Sequence, residues 1–422
     1  MKKHYLFPLI ILCLLLSGCR YNNTNKDNSD SHITEVSDTV PVYSADDHEA
    51  CADYIRSQYG LLFDSAPPKI ILDCDMTYLG DDAMCMCILA QADTLGLIDL
   101  IGITITGGNS FTACGTNAAL NQLELIERSD IPVYMGTDIP IEGFRNMEEQ
   151  EAIVGKISRY GAMYRVDDYI SPEKYHDLGV FYERKWGYSQ AEPQSRSSID
   201  FMQEQVHKYP GEITLISIGA PTNIAMACLE DEDFAGDAVG IIYMGMTVGG
   251  QGTYTPYADF NCFYDAKAFQ ICTSSSFPSQ TTIPHEASKS ALLNKSVFDL
   301  MDAKNDTLIS KLWLENQYSL YQRTITRTDG CPDAIAAVVF LYPEVITQKE
   351  NLFVQINTDA SVAEYGKTTT FTNQEETPDA PCITFVLDLD TALYWDFVTD
   401  LICHMENEST HTYSYFEALL AS

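Results

Sequence analysis

The segment that most constrains the fold is residues 69–83, where an apolar run, KIIL, feeds directly into DCDMTYLGDDA. Four carboxylates, Asp73, Asp75, Asp81 and Asp82, fall within ten residues, just where a buried strand gives way to a turn. Left unpaired they would repel one another, and burying them would carry a heavy desolvation cost. A hard divalent cation, which prefers several oxygen ligands, resolves both problems. Helical spacing from Asp82 to Leu95 puts Asp81 and Asp82 at a helix N-terminus, where the peptide dipoles favour anions. The competing reading is that this pair only caps the helix and the other two are solvated. A single aspartate would suit that reading, but four after one buried strand point to a site.

The rest of the chain repeats the pattern. LIDLIGITIT reads as a second strand and Thr116–Arg128 as a second helix. IPVYMGT is a third strand, EITLISIG a later one followed by a helix from about Asn223, and AVGIIYMG another. LFVQINTD and ITFVLDLD read as late strands and YWDFVTDLICHM as a closing helix. Strands alternating with helices build an α/β fold: an open, mostly parallel, Rossmann-like sheet flanked by helices. Ligands of such sheets bind beyond the carboxyl ends of the strands, where each polar cluster named here falls. Residues 143–196 show no period and read as an irregular excursion over the site. There is no internal repeat.

The N-terminus reads as an export signal over residues 1–18. Lys2 and Lys3 precede an apolar run, Tyr5–Leu16, which is too short for a comfortable membrane span. The run ends in LSGC, the pattern of a bacterial lipoprotein signal, so Cys19 is the expected lipid carrier and the chain is expected to be exported and held on a membrane. Residues 19–49, rich in Asn, Asp, Ser and Thr, read as a flexible tether. Residues 50–422 form the expected folded domain. Of thirteen cysteines, removing Cys13 with the signal and Cys19 to lipid leaves eleven, scattered without C-x-x-C spacing. That is no disulfide framework; most should be small buried apolar residues. A net charge of −35, from 60 acidic and 25 basic residues, argues against nucleic acid as a partner.

Two families share the opening motif. A strand followed by D-x-D-x-T resembles the Mg²⁺-dependent haloacid dehalogenase-type phosphatases, with Asp73 as nucleophile and Asp75 as acid. That likeness is local, and GDAVG at Gly236 is a poor match for what such enzymes need downstream. Residues Lys69 to about Glu406 resemble the inosine-uridine type nucleoside hydrolases along most of the chain. DCDMTYLGDDA looks like that family's signature, and GITITGGN, ending at Asn109, like its next segment. SIGAPTNIA (217–225), YMGMTVGGQGTYTPYADFN (243–261) and CPDAIAAVVFLYP (331–343) follow in the family's order.

The resemblance implies a nucleoside hydrolase-like domain that cleaves the N-glycosidic bond of ribonucleosides or related ribosides, in a calcium-dependent reaction that recovers purine or pyrimidine bases and sugar. It implies Ca²⁺ held by Asp75, Asp82, Asp333 and the Thr222 carbonyl, with Asp75 also acting as general base toward a metal-bound water. It gives Asp81, Asn109, Asp259 and Asn261 to the sugar's oxygens and Met244 to packing on the sugar, with Asp73 orienting its neighbours. Three departures stand out. Thr253 replaces the usual Asn, Asp259 the usual Glu, and Pro332 the histidine that protonates the leaving base; the His-rich motif after the third strand is also missing. The base pocket is therefore not the standard one. His285, Tyr318 and Tyr321 are candidate replacement acids, although a surface histidine and core-packing aromatics are the blander reading; His176 and His207 have less to recommend them. A non-catalytic ribose- or nucleoside-binding lipoprotein is the alternative function, and homo-oligomerisation is left open.

Overall fold

The computed structural model describes residues 47–61, 66–78, 80–166, 175, 189–292, 297 and 331–403. The signal, Cys19 and the tether up to residue 46 lie outside the described residues, as do His176, Tyr318 and Tyr321. In chain order the elements are α1 (His48–Tyr59), β1 (Lys69–Cys74), α2 (Asp81–Thr94), β2 (Asp99–Ile105), α3 (Thr112–Leu125), β3 (Val133–Met135), α4 (Met147–Val154) and α5 (Ser198–Lys208). Then come β4 (Ile213–Ser217), α6 (Thr222–Glu230), the short α7 (Phe234–Asp237), β5 (Gly240–Met244), α8 (Phe260–Tyr264), α9 (Ala266–Ser274) and β6 (Gln280–Ile283). After residue 330 follow α10 (Pro332–Leu341), β7 (Ile346–Ile356), β8 (Thr368–Phe371), β9 (Cys382–Leu389) and α11 (Thr391–Cys403).

Among the described residues nine strands make one sheet, in the order β3-β2-β1-β4-β5-β6-β9-β7-β8. Every pairing from β3 to β9 is parallel, and β7 runs antiparallel to both β9 and β8. The open, mostly parallel α/β sheet expected from the sequence is what forms. The chain builds outward from β1 through β2 to β3, then returns to β1's other side as β4. The strand order thus reverses between β1 and β4, which opens a crevice at their carboxyl ends. Asp73–Asp82 leaves one side of that crevice and Ile218–Thr222 the other.

Local chemistry explains the elements. Ile70, Ile71, Leu72 and Cys74 are all fully buried, as expected of a central parallel strand covered on both faces. Helix α2 is buried from Asp82 to Ala92, with no polar stripe, because it packs against α10 and α11 as well as the sheet. An inner helix of this kind cannot turn its acidic N-terminus toward bulk solvent, so Asp81 and Asp82 are committed to the crevice. β7 differs: residues 347–351 are exposed, and the buried alternation begins only at Leu352. That half-wet strand suits the antiparallel end of the sheet.

Some boundaries move. Helix α3 starts at Thr112, earlier than the spacing indicated, because Thr112 takes its capping partner from a distant loop: its N–H and hydroxyl both donate to Asp138. Helix α1 starts at His48, so His48 and Glu49 belong to it rather than to the tether. Asp47 caps it, and Cys51, Ile55 and Tyr59 are its buried face. The Tyr59 hydroxyl donates to Asp400 Oδ2 at 2.6 Å, and its ring stands edge-on to Tyr342 and Phe397. Helix α5 and the end of α6 are clasped by His207, whose Nδ1 and Nε2 lie 2.9 and 2.5 Å from Asp237 and Asp231.

These two hydrogen-bonded carboxylates raise the His207 pKa. A histidine raised on folding stabilises fully below its unfolded value, and the effect fades as pH rises through the folded value. His207→Gln should therefore lower the melting temperature at about pH 5.5, below the ordinary histidine pKa of about 6.5, with the difference shrinking by about pH 9. Because the imidazole is 40% exposed, the effect is a modest one. Thermal melts of the two proteins across this range check it; a constant difference would mean that the clasp works without its charge.

Candidate active site

The crevice contains a cavity of about 470 Å³. Asp75, Asp81, Asn109 and Ile218 line it from the β1, β2 and β4 ends, with Met244 from β5. Thr253, Tyr254, Asp259, Phe260 and Asn261 come from the connection into α8, His285 from the end of β6, Pro332 and Asp333 from α10, and Tyr160 from the segment after α4.

Asp75 is fixed by what surrounds it. Its Oδ2 accepts the Asn109 backbone N–H at 2.7 Å. A Cβ on Gly108 would sit 2.1 Å from that same oxygen, and a Cβ on Gly219 would come within 3.0 Å of the Asp75 Cβ. The strands flanking β1 thus each supply a glycine so that Asp75 can stand between them. Burial pushes the Asp75 carboxyl up to about 7.

Asp82, fully buried, accepts Asn109 Nδ2 at 3.4 Å on Oδ2, while its Oδ1 has no protein partner. Carboxylate oxygens of Asp81, Asp82 and Asp333 lie within 4.8 Å of one another. Burial and the neighbouring aspartates hold the Asp82 and Asp333 carboxyls well above the usual range. Within the protein these carboxyls mainly face one another, and the charge of each raises its neighbours' affinity for a proton. The orphaned Asp82 oxygen and an all-oxygen donor set fit a hard divalent cation. Asp81, given to the sugar from sequence, stands inside this cluster, and Asp75 adjoins it through Asp82.

The sugar-facing residues come from one stretch. Asn261 Nδ2 donates to the Ile218 and Met244 carbonyls at 2.8 and 3.1 Å, tying β4 to β5. With both amide hydrogens used, it has only its carbonyl oxygen to offer. Asp259 caps α8 through Oδ1 to the Cys262 N–H at 3.1 Å, and its buried Oδ2 has no protein partner. Met244 is nearly buried at the end of β5.

One sequence assignment requires correction. Thr222 does not line the cavity. It is the first residue of α6, 1% exposed, with its hydroxyl donating to Asp265 at 2.9 Å. A carbonyl in the first helical turn points along the helix, so the crevice is lined instead by Ile218, four residues earlier at the strand end. Asp73 is also outside the cavity: its Oδ1 accepts from Thr104 and Asn223 at 2.7 and 2.8 Å and its carboxyl, raised to about 7 by burial, braces β1 against β2 and α6. A phosphatase using Asp73 as nucleophile is incompatible with that position. His285, by contrast, does line the cavity, half-buried just beyond β6.

Sequence reasoning missed the aromatic wall. Tyr160 stacks on Phe260 with centroids 4.7 Å apart and planes 18° apart, and Tyr254 stands edge-on to both. Tyr160 rides on a strap pinned at each end: the Tyr254 hydroxyl donates to Ser158 O at 2.8 Å, and the Ala162 N–H to Gly108 O at 2.8 Å. Gly161, at φ 89°, has no room for a side chain between Gly108 and Phe260. Tyr254 and Phe260 fall inside a motif already singled out, so their proximity to polar site residues was the available signal. Nothing local marks Tyr160.

The model of the inosine-uridine preferring nucleoside hydrolase family matches residues 70–396. Uridine nucleosidase 1 of Arabidopsis thaliana is 24% identical over 289 residues, covering 67% of this chain and 77% of that protein. Pyrimidine-specific ribonucleoside hydrolase RihB of Escherichia coli is 30% identical over 210 residues, 50% of this chain and 57% of that one; probable uridine nucleosidase 2 of Arabidopsis thaliana is 29% identical over 203 residues, 48% and 55%. The chain thus spans little more than half the length of these last two relatives. Among solved structures, a plant nucleoside hydrolase superposes with a TM-score of 0.63 at 21% identity, covering 80% of this chain and 99% of that one. An inosine-guanosine nucleoside hydrolase gives 0.62 at 19%, covering 79% and 98%. With the family's model matched from β1 to α11 on a sheet of the same fold, the chain belongs to the inosine-uridine preferring nucleoside hydrolase family.

Proposed function

We propose that the chain hydrolyses the N-glycosidic bond of ribosides, with Asp75 as general base. The observation that carries this reading is Asp75 itself: a cavity-lining carboxylate held between two obligatory glycines and beside the Asp81, Asp82 and Asp333 cluster. A protein that only binds sugar has no need of a cavity carboxylate fixed this tightly beside the acidic cluster, which favours turnover over the binding-protein reading.

Asp75 takes the proton from the attacking water. Breaking a glycosidic bond builds positive charge on the sugar ring, and the surrounding carboxylates stabilise it. The Asp259 carboxylate and the Asn261 carbonyl accept hydrogen bonds from sugar hydroxyls, fixing the ring for attack. Asp82, Asp333, Asp81 and Asp75 would hold the cation, which we take to be calcium because every donor is oxygen; when bound it supplies Lewis acidity and orients water and sugar hydroxyls. The test is incubation with a panel of ribosides and assay of free reducing sugar, with and without chelator. Chelator-sensitive release supports the reading; binding without release would favour the non-catalytic alternative.

The proposal extends to location: export, cleavage before Cys19, and lipid on that cysteine. Its support is the LSGC context after a short apolar run. Cys19→Ala should abolish incorporation of labelled fatty acid in expressing bacteria, and unchanged labelling would exclude this residue as the anchor.

A further inference from the structure

Most of the described cysteines are buried fillers of the core, but two on neighbouring helices are placed differently. Cys228 lies in the last turn of α6 and Cys272 in the last turn of α9, and these helices pack against each other. The two thiols are in hydrogen-bond contact. Cys272 is wholly buried, its Sγ 3.7 Å from the Pro221 carbonyl oxygen. Cys228 is only half-buried and stands next to Leu229, which is 58% exposed. The surroundings also separate the two acidities. Hydrogen bonds with Cys272 and the Ser275 side chain hold the Cys228 thiol below its ordinary pKa, whereas burial pushes Cys272 well above it. In thiol–disulfide exchange the thiolate attacks, so the accessible member of the pair is also the better nucleophile. Packing accounts for a thiol at Cys272, but not for a second one at the solvent side of the same contact.

We propose that Cys228 and Cys272 are a redox-active dithiol, which small-molecule disulfides such as oxidised glutathione convert to a disulfide joining α6 to α9. The exchange balances in two steps. The Cys228 thiolate attacks one sulfur of the external disulfide, forming a mixed disulfide and expelling a thiolate, which takes up the Cys228 proton. Cys272 then gives up its proton and attacks the Cys228 sulfur. That closes the protein bond and expels the second thiolate, which takes up this proton. The protein pair loses two electrons, and one external disulfide becomes two thiols. The loop closed between residues 228 and 272 contains β5 and α8, and with them Asp259 and Asn261. Closing it restricts the unfolded chain more than the folded one. On the export reading the pair would meet such oxidants outside the cytoplasm.

The test exposes the full chain in detergent, reduced and freed of reductant, to oxidised glutathione without denaturant. After acid quenching, remaining thiols are capped with N-ethylmaleimide and the peptides are mapped by mass spectrometry. The parent should give a Cys228–Cys272 cross-linked peptide that dithiothreitol reopens, and should melt about 3–5 °C higher when oxidised. Cys272→Ser removes the resolving thiol and should leave glutathione on Cys228. In Cys228→Ser, glutathione should reach Cys272 at least about tenfold more slowly than it reaches Cys228 in the other variant. Exposed Cys382 is the internal comparison and should carry glutathione without cross-linking. If the parent keeps glutathione on Cys228 and forms no cross-link, or if the two thiols react equally fast in the variants, the contact is ordinary packing and the proposal falls.

Discussion

Asp75→Asn should lower kcat on any cleavable riboside by about 10³-fold or more, within the range set by loss of a general base, while leaving a folded protein. An amide has the carboxylate's shape, so the asparagine can still sit between Gly108 and Gly219, and its oxygen can keep the Asn109 N–H now held at 2.7 Å. The charge of Asp75 helps to hold the neighbouring Asp82 carboxyl above its usual range. One buried carboxylate fewer also relieves repulsion, so without calcium the variant should melt no lower than the parent. What the amide cannot do is accept a proton from water, and it brings less charge to the cation. Most of the calcium-induced rise in melting temperature should go with the turnover. Asp73→Asn is the contrast: it weakens a brace to Thr104 and Asn223 outside the cavity, so stability should suffer more than rate. An Asp75→Asn protein that keeps over a tenth of the parent's rate, or binds calcium as the parent does, would remove Asp75 from the role given to it.

The sheet was legible because its strands announce themselves by continuous burial: Ile70–Leu72 and Ile213–Ile216 can be nothing but central strands once four carboxylates must emerge beside them. The acidic cluster was legible for the same reason, since charge density after a buried strand has few physical solutions. Thr222 failed because SIGAPTNIA does not reveal where the strand ends and the helix begins; moving that boundary swaps a crevice-facing carbonyl for a helix-bonded one. Tyr160 was invisible because its position is set by Gly108, Tyr254 and Phe260, residues 52 to 100 positions away, and by a glycine whose left-handed backbone leaves no distinctive pattern around it. His285 sat between these cases: its strand-end position was readable, but which wall of the crevice that strand forms is a matter of sheet order, and β6 lies next to β9 rather than at an edge.

Withholding the proposed cation should have the other large effect, and its pH dependence distinguishes a metal site from a merely acidic pocket. Without a cation, burial and mutual repulsion raise the Asp75, Asp81, Asp82 and Asp333 carboxyls. Groups raised in this way bind more protons folded than unfolded, so the cation-free protein loses stability as pH climbs from the ordinary aspartate value of about 3.9 through the raised folded values. On the calcium reading proposed above, the ion would replace those protons. At free calcium a thousandfold above its dissociation constant it would add about 4 kcal/mol, and it should largely flatten the pH dependence. The calcium-induced rise in melting temperature should therefore be small at about pH 5 and large at about pH 8, with turnover absent in chelator at both. Asp82→Asn should shrink the rise, since the orphaned Oδ1 is then no longer an anionic ligand. Magnesium should substitute poorly, because it demands near-ideal octahedral geometry and gives up its waters reluctantly. Equal stabilisation by calcium at both pH values would mean that the ion binds away from this cluster, and the aspartates would then be a buried acid network sharing protons rather than the seat of a metal.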